Sequence, residues 1–324
     1  MTQEIKPIAM RDALLARIRD TMAEDSKVFF VTADFGSPVI DDIRAKHADR
    51  FLNVGVAEQN LINISAGLAL EGFNVFAYAI APFITMRCFE QIRVNLCLLS
   101  QVRPMSVNLI GVGAGYSYVV SGPTHQCYED ISIMRTLPVV RVLSPSDHLV
   151  TARMFDECRT PGIRYLRLDA QVLPPLDLAG AAPIQNGWRM LRSGEAAVTI
   201  VSTGYMTHTA LAVCEDLEKS GFSAQVIDII DLTRANDPEL IAKFAQSSLV
   251  VSMEEGFLGR GGVDALLQTR MREADLRVPY LPLGVAPQYN FELGSRTELH
   301  EQVGIGRHGC GTAILAALKN GAGK

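Results

Sequence analysis

The chain has 324 residues, 48% hydrophobic and 20% charged, an ordinary globular composition long enough for two domains that each bury a core. Its net charge of −5 provides neither the basic surface that nucleic acid requires nor a polybasic membrane patch, which excludes both as partners. The six cysteines, Cys88, Cys97, Cys127, Cys158, Cys214 and Cys310, show no CxxC or other paired spacing, which argues against a zinc knuckle and a disulfide framework.

At the N-terminus, MTQEIKPIAMRDALL has no apolar core followed by a small-residue cleavage site, and no later apolar run is long enough to span a bilayer. With reduced thiols, this predicts a soluble, cytoplasmic protein. Met10, Leu14, Ile18 and Met22 recur every four residues and predict one apolar helical stripe. KVFFVTADFG follows as a buried strand that stops at Asp34 and Gly36. Asp34 therefore sits at a strand's carboxyl end, where ligands bind in open α/β sheets and where an aspartate also simply caps a turn. NVGVAEQN, residues 53–60, then sets one carboxylate, Glu58, among small and apolar neighbours. Burying it alone is costly, so Glu58 is paired, exposed, or kept for chemistry.

A helix is expected to start near Glu58 and run through LINISAGLALEG. Ser65, Ala66, Gly67 and Ala69 flatten part of its surface, which suits either a subunit contact or close packing within one domain. SVNLIGVGAG, VVRVLSPSD and IRYLRL continue the strand–helix alternation. In SGPTHQCYED, Gly122 and Pro123 force a turn, and His125 precedes the expected helix YEDISIMRTL. A histidine there suits proton transfer or a hydrogen bond to a substrate oxygen. A structural histidine is the alternative.

Between Asp169 and Gly187 the periodicity lapses into DAQVLPPLDLAGAAPIQNG, the expected linker. Beyond it, AAVTIVSTG, SAQVIDIIDL and SLVVSMEEG read as strands, and HTALAVCEDLEKSG as an amphipathic helix ended by Gly221. The glycines of EEGFLGRGG match no phosphate-loop pattern and read as a structural strand-to-helix turn. The fold class is thus α/β: two consecutive three-layer α/β/α domains with mostly parallel sheets, at residues 1–172 and 189–324, joined by a linker at 173–188.

The order of these pieces resembles the transketolase family. NVGVAEQNLINISAGLALEG, YAIAPFITMRCFEQIR, GPTHQ and LPVVRVLSPSD are similar to its pyrimidine-binding domain, and AAVTIVSTGYMTHTAL with VVSMEEGFLGRGG to its C-terminal domain. The resemblance implies thiamine diphosphate as cofactor. It implies that Glu58 hydrogen-bonds N1′ of the aminopyrimidine, a bond that low-dielectric surroundings strengthen, and that Phe83 stacks on that ring. It further implies that His125 faces the substrate, that Arg167 holds a sugar phosphate through its planar donor fork, and, more loosely, that Asp34 lies near the cofactor.

The family's diphosphate- and metal-binding GDG segment occurs nowhere in the sequence. The expectation is therefore a C-terminal subunit of a split transketolase, whose Mg2+ or Ca2+ and diphosphate are held by a separate N-terminal subunit, with two copies of each chain. The chain departs from the family where Gly-Glu-Asp usually precedes Gly-x-Thr-His: it has Val119, Val120 and Ser121. It also has Gly113 where a substrate-binding histidine is common. Ser121 at the substrate position implies two-carbon ketol transfer from a non-standard sugar. The alternatives are a loop realignment in which Tyr116 or Tyr118 supplies the lost hydrogen bonds, a deoxyxylulose-phosphate synthase-like or 2-oxo acid dehydrogenase β-like enzyme, and a non-catalytic scaffold.

Overall fold

The computed structural model describes residues 6–176, 183–194 and 197–321. Residues 1–5, 177–182 of the expected linker, 195–196 at the start of AAVTIVSTG and 322–324 lie outside the described residues. Two compact units result: one runs to Ser117 and resumes at Ile133–Pro175, and the other combines Tyr118–Ser132 with the chain from Leu176 onward.

The first unit contains α1 (Met10–Glu24), β1 (Val28–Thr32), α2 (Pro38–Lys46), β2 (Phe51–Asn53), α3 (Glu58–Leu70) and β3 (Asn74–Ile80). After β3, π-helical turns at Phe83–Arg87 and Ile92–Leu98 flank a short α4 (Phe89–Gln91). Next come β4 (Ser106–Val112), the second half of α5 (Asp130–Arg135, of which the residues to Ser132 fall in the other unit), β5 (Val140–Leu143), α6 (His148–Met154) and β6 (Gly162–Leu168). The sheet has the order β2-β1-β3-β4-β6-β5, and every pairing is parallel.

The residue patterns account for these elements. Met10, Leu14, Ile18 and Met22 of α1 are all buried, as the four-residue recurrence requires. Central strands covered on both faces read as unbroken apolar runs, and β3 and β4 are buried nearly throughout. Gly111 on β4 is required by packing, because a Cβ there would meet Tyr165 Cε2 at 2.6 Å. α2 begins with a signal that periodicity alone missed: Ser37 caps it by accepting from Ile40 N, and Pro38 occupies the first turn. On α3, Ser65, Ala66 and Ala69 are buried within this chain while Gly67 is exposed.

The second unit contains β7 (Trp188–Arg192), β8 (Val198–Ser202), α7 (Met206–Lys219), β9 (Ala224–Ile229) and α8 (Pro238–Ala245). It continues with β10 (Leu249–Phe257), α9 (Val263–Glu273), β11 (Tyr280–Val285), α10 (Arg296–Gln302) and α11 (Arg307–Gly321). Its sheet order is β11-β10-β8-β9-β7, parallel except for β7, which runs antiparallel to β9 at the edge. Gly221, at φ +85°, follows α7 as expected.

The glycine cluster is a strand-to-helix turn between β10 and α9. Gly259 N donates to Asp264 at 2.6 Å, and Asp264 N, in the first turn of α9, donates to Glu254 at 2.8 Å. Nearby, Arg296 of α10 donates to both oxygens of Glu255 at 2.9 and 2.7 Å, and His300 Nε2 lies 2.7 Å from the same carboxylate. Arg296 also stacks on Tyr205 at 3.7 Å. Burial opposes ionisation of Glu255, but the Arg296 charge and the His300 bond outweigh it and hold the carboxyl below its ordinary range.

Candidate active site

Glu58 is the first residue of α3, and only 3% of it is exposed. The last apolar turn of β3 delivers the chain into the π-helical turn Phe83–Arg87, whose wider winding brings positions four apart onto one side. There the Arg87 guanidinium covers the Phe83 ring, with Cζ 4.2 Å from the centroid. The same guanidinium donates from Nη1 to Glu58 Oε2 at 2.6 Å. Of the three readings of Glu58, the structure therefore shows the paired one. Gln59 Nε2 completes the clasp by donating to the Arg87 carbonyl at 3.2 Å.

Glu58 and Phe83 are thus brought together on one small flat group. A flat nitrogen-bearing ring fits that cradle by the same logic: a buried acceptor at one edge and an aromatic face below. Arg87 is the residue that sequence reasoning missed, and its only signal was its position four residues after Phe83. Cys88 lies alongside, donating to Ile84 O at 2.7 Å. Burial, with the Glu58 charge adding to it, pushes its thiol up to about 12.

Asp34 is placed apart from this cradle's contacts. It adopts φ +53° at the end of β1 and exchanges hydrogen bonds with Asn53 at the end of β2: its N–H donates to Asn53 Oδ1 at 3.0 Å, and Asn53 Nδ2 returns to Asp34 Oδ1 at 3.1 Å. The carboxyl-end position is as expected, and the local contacts are those of a turn cap. Arg167 lies on β6 opposite Gly111 of β4 and is 3% exposed. Gly113, just past β4, has φ +109°, a value suited to glycine.

In the second unit, Gly122–Thr124 form a single 3-10 turn, with Ser121 before it and His125 closing it. The Thr124 hydroxyl lies 2.9 Å from His125 Nδ1 and 3.3 Å from the Ser121 carbonyl. Tyr118 meets the imidazole edge-on at 6.2 Å, while Tyr116 is fully buried in the first unit. The expected helix begins only at Asp130. That start lies five residues past His125, whose ring is held instead by the end of a short turn and by the Thr124 hydroxyl. The segment is anchored by aromatic contacts, with Phe257 5.0 Å from Tyr128 and 5.5 Å from Tyr289. Tyr289 also donates to Glu129 at 2.9 Å.

Among the described residues, no cluster of histidine, cysteine, aspartate and glutamate could hold a metal ion, and no helix is long and apolar enough to cross a membrane.

Residues 6–174 match the family model described as transketolase, pyrimidine binding domain, and residues 187–318 match transketolase, C-terminal domain. The chain is 31% identical over 306 residues to a 1-deoxy-D-xylulose-5-phosphate synthase of Synechococcus sp. (strain JA-2-3B'a(2-13)), covering 91% of this chain but 45% of that protein. It therefore spans about half the length of such relatives. It is also 30% identical over 275 residues to a Methanocaldococcus jannaschii protein named as a transketolase C-terminal section, covering 84% of each. A solved structure described as a split gene transketolase, inactive beta4 tetramer, superposes with a TM-score of 0.82 at 28% identity, covering 97% of this chain and 99% of that one.

Proposed function

Because the chain belongs to the transketolase family, we propose that it is the C-terminal subunit of a split thiamine diphosphate-dependent transketolase. It transfers a two-carbon ketol unit from a ketose donor to an aldehyde acceptor, with a sugar outside the ordinary pentose-phosphate set. A separate N-terminal subunit holds the diphosphate through Mg2+ or Ca2+, and two copies of each chain assemble. What supports this is the meeting of Glu58 and Phe83 around one flat guanidinium, together with similarity over most of their length to chains described as a split gene transketolase and as a transketolase C-terminal section. The inactivity of the homotetrameric relative agrees with a chain that needs a partner.

Thiamine diphosphate, when bound, supplies the nucleophilic carbon and the electron sink. Glu58 holds the proton at pyrimidine N1′, its burial strengthening that bond. Phe83 covers one face of the ring and fixes its plane. His125, oriented by Thr124, hydrogen-bonds a substrate oxygen and moves a proton there. Ser121, an uncharged hydroxyl where the family's pattern has an acid, meets the donor and shifts its preference. Arg167 takes the anionic end of a phosphorylated substrate, and Asp34 borders the cofactor.

A second reading, condensation of a 2-oxo acid with an aldehyde phosphate, is favoured by the similarity to deoxyxylulose-phosphate synthases. The deciding experiment is to co-purify the tagged chain with its partner, titrate thiamine diphosphate and magnesium into chain and complex, and screen sugars. Metal-dependent binding by the complex alone, with ketol transfer, supports the leading reading. Carbon dioxide release from pyruvate with glyceraldehyde 3-phosphate supports the second, and no cofactor binding by the complex returns the scaffold alternative. Ordinary turnover of xylulose 5-phosphate with ribose 5-phosphate would remove the non-standard sugar.

A further inference from the structure

Arg87 makes both contacts that the cofactor's aminopyrimidine is assigned. Its guanidinium lies 2.6 Å from the Glu58 carboxylate and 4.2 Å over the Phe83 ring. We propose that the Glu58–Phe83 cradle is a binding site for flat nitrogen-bearing groups, that Arg87 is its occupant in the free chain, and that the cofactor's ring enters by displacing it. The proposal rests on the cofactor reading above.

Three observations carry it. The two occupants compete for the same groups, because Arg87 Nη1 already holds Glu58 Oε2 and its guanidinium already covers one face of Phe83. The guanidinium is chemically matched to the place: planar, rich in N–H donors and disposed to stack on aromatic faces. It is also able to leave. The Arg87 side chain is 44% exposed while that of Glu58 is 3% exposed, so the cation stands at the rim and returns to water on swinging out. Its backbone stays in place, held by Gln59 at the carbonyl, so displacement needs only side-chain rotation.

Such an occupant has a purpose in a subunit that exists before it meets its cofactor. A buried carboxylate without a partner is strongly destabilising, and Arg87 satisfies Glu58 until the ring nitrogen takes over. The consequence is a lowered apparent affinity, since only chains with Arg87 withdrawn accept the ring. An open state populated at roughly one part in ten to one in a thousand weakens binding by the same factor.

The test uses the full-length chain and 4-amino-5-hydroxymethyl-2-methylpyrimidine, the isolated ring of the cofactor, as calorimetric probe. Arg87→Ala is expected to bind it at least about tenfold more tightly than wild type, and Arg87→Lys, which keeps the charge but not the plane, to gain less. Glu58→Gln added to Arg87→Ala should abolish the gain. The thermal midpoint of Arg87→Ala should fall without the probe and recover with it, a response that mere loss of a surface contact would not give. If Arg87→Ala does not fold, the smaller gain of Arg87→Lys is the criterion. Binding by the variants equal to or weaker than wild type overturns the proposal. Thiamine diphosphate titrated into the wild-type complex tells which idea has failed: uptake there leaves the cofactor reading standing, and no uptake removes both.

Discussion

The hydroxyl of Thr124 lies 2.9 Å from Nδ1 of His125, two adjacent residues locked to each other at the end of one 3-10 turn. A ring held this way presents a fixed direction to a substrate. In the reconstituted complex, His125→Ala should lower kcat/KM by roughly 10²- to 10⁴-fold while leaving the thiamine diphosphate Kd unchanged. Thr124→Val should reproduce a smaller part of that loss. Steady-state kinetics with a parallel cofactor titration measures both.

Glu58→Gln keeps the shape of the side chain but cannot share the proton at N1′. It should reduce activity by roughly 10²-fold or more and slow deuterium exchange at the reactive carbon of the bound cofactor, read by NMR. Activity at the wild-type level would mean that Glu58 serves only Arg87.

Arg167 has two separable roles. As a phosphate ligand, its replacement by methionine would raise KM for a phosphorylated ketose and spare an unphosphorylated one. As a buried strand residue at 3% exposure, the same replacement would shift stability and leave the ratio of the two KM values alone. The expected outcome under the proposed function is the first, checked by paired kinetics.

Removing Arg296 leaves the buried Glu255 carboxylate with His300 as a remaining ion-pair partner. Arg296→Met should destabilise the chain by about 3–5 kcal/mol, measured by urea unfolding. Because the folded Glu255 carboxyl is held low, its contribution is present above the unfolded value of about 4.3. It is lost as pH falls below that, so the gap between wild type and variant should narrow in acid.

Burial raises the thiols of Cys88, Cys158 and Cys310 to about 12 and those of Cys97 and Cys214 to about 11. An unfolded thiol ionises near about 8.5, so folding favours the protonated form. The stabilisation is complete below about pH 8.5 and is lost as pH climbs through the folded values. Iodoacetamide at pH 8 should label these cysteines far more slowly in the folded chain than in urea, and the urea midpoint should decline from pH 9 to 11.

The sheets were legible because strands buried on both faces are mostly apolar, as in VFFVT of β1, SVNLIGV of β4, VTIVS of β8 and the LVV that opens β10. β7 was not, since the antiparallel edge strand WRMLR carries two arginines and lacks such a run. Glu58, Phe83 and His125 stood out through motif order, and the folded chain brings the first two together. Arg87 looks in sequence like any surface cation, and its bond to Glu58 depends on how α3 and the segment after β3 come together in the fold. The helix pattern of YEDISIMRTL is real, but its first two residues, Tyr128 and Glu129, precede the helix and make contacts of their own with Phe257 and Tyr289.

The stretch Tyr118–Ser132 comes from the first half of the chain yet belongs to the second compact unit, where Tyr128 and Glu129 meet Phe257 and Tyr289. A gene broken at the linker would put the His125 turn on one product and its aromatic anchors on the other. Fission or shuffling at that seam would therefore separate a turn from what shapes it, even though each half resembles a familiar module.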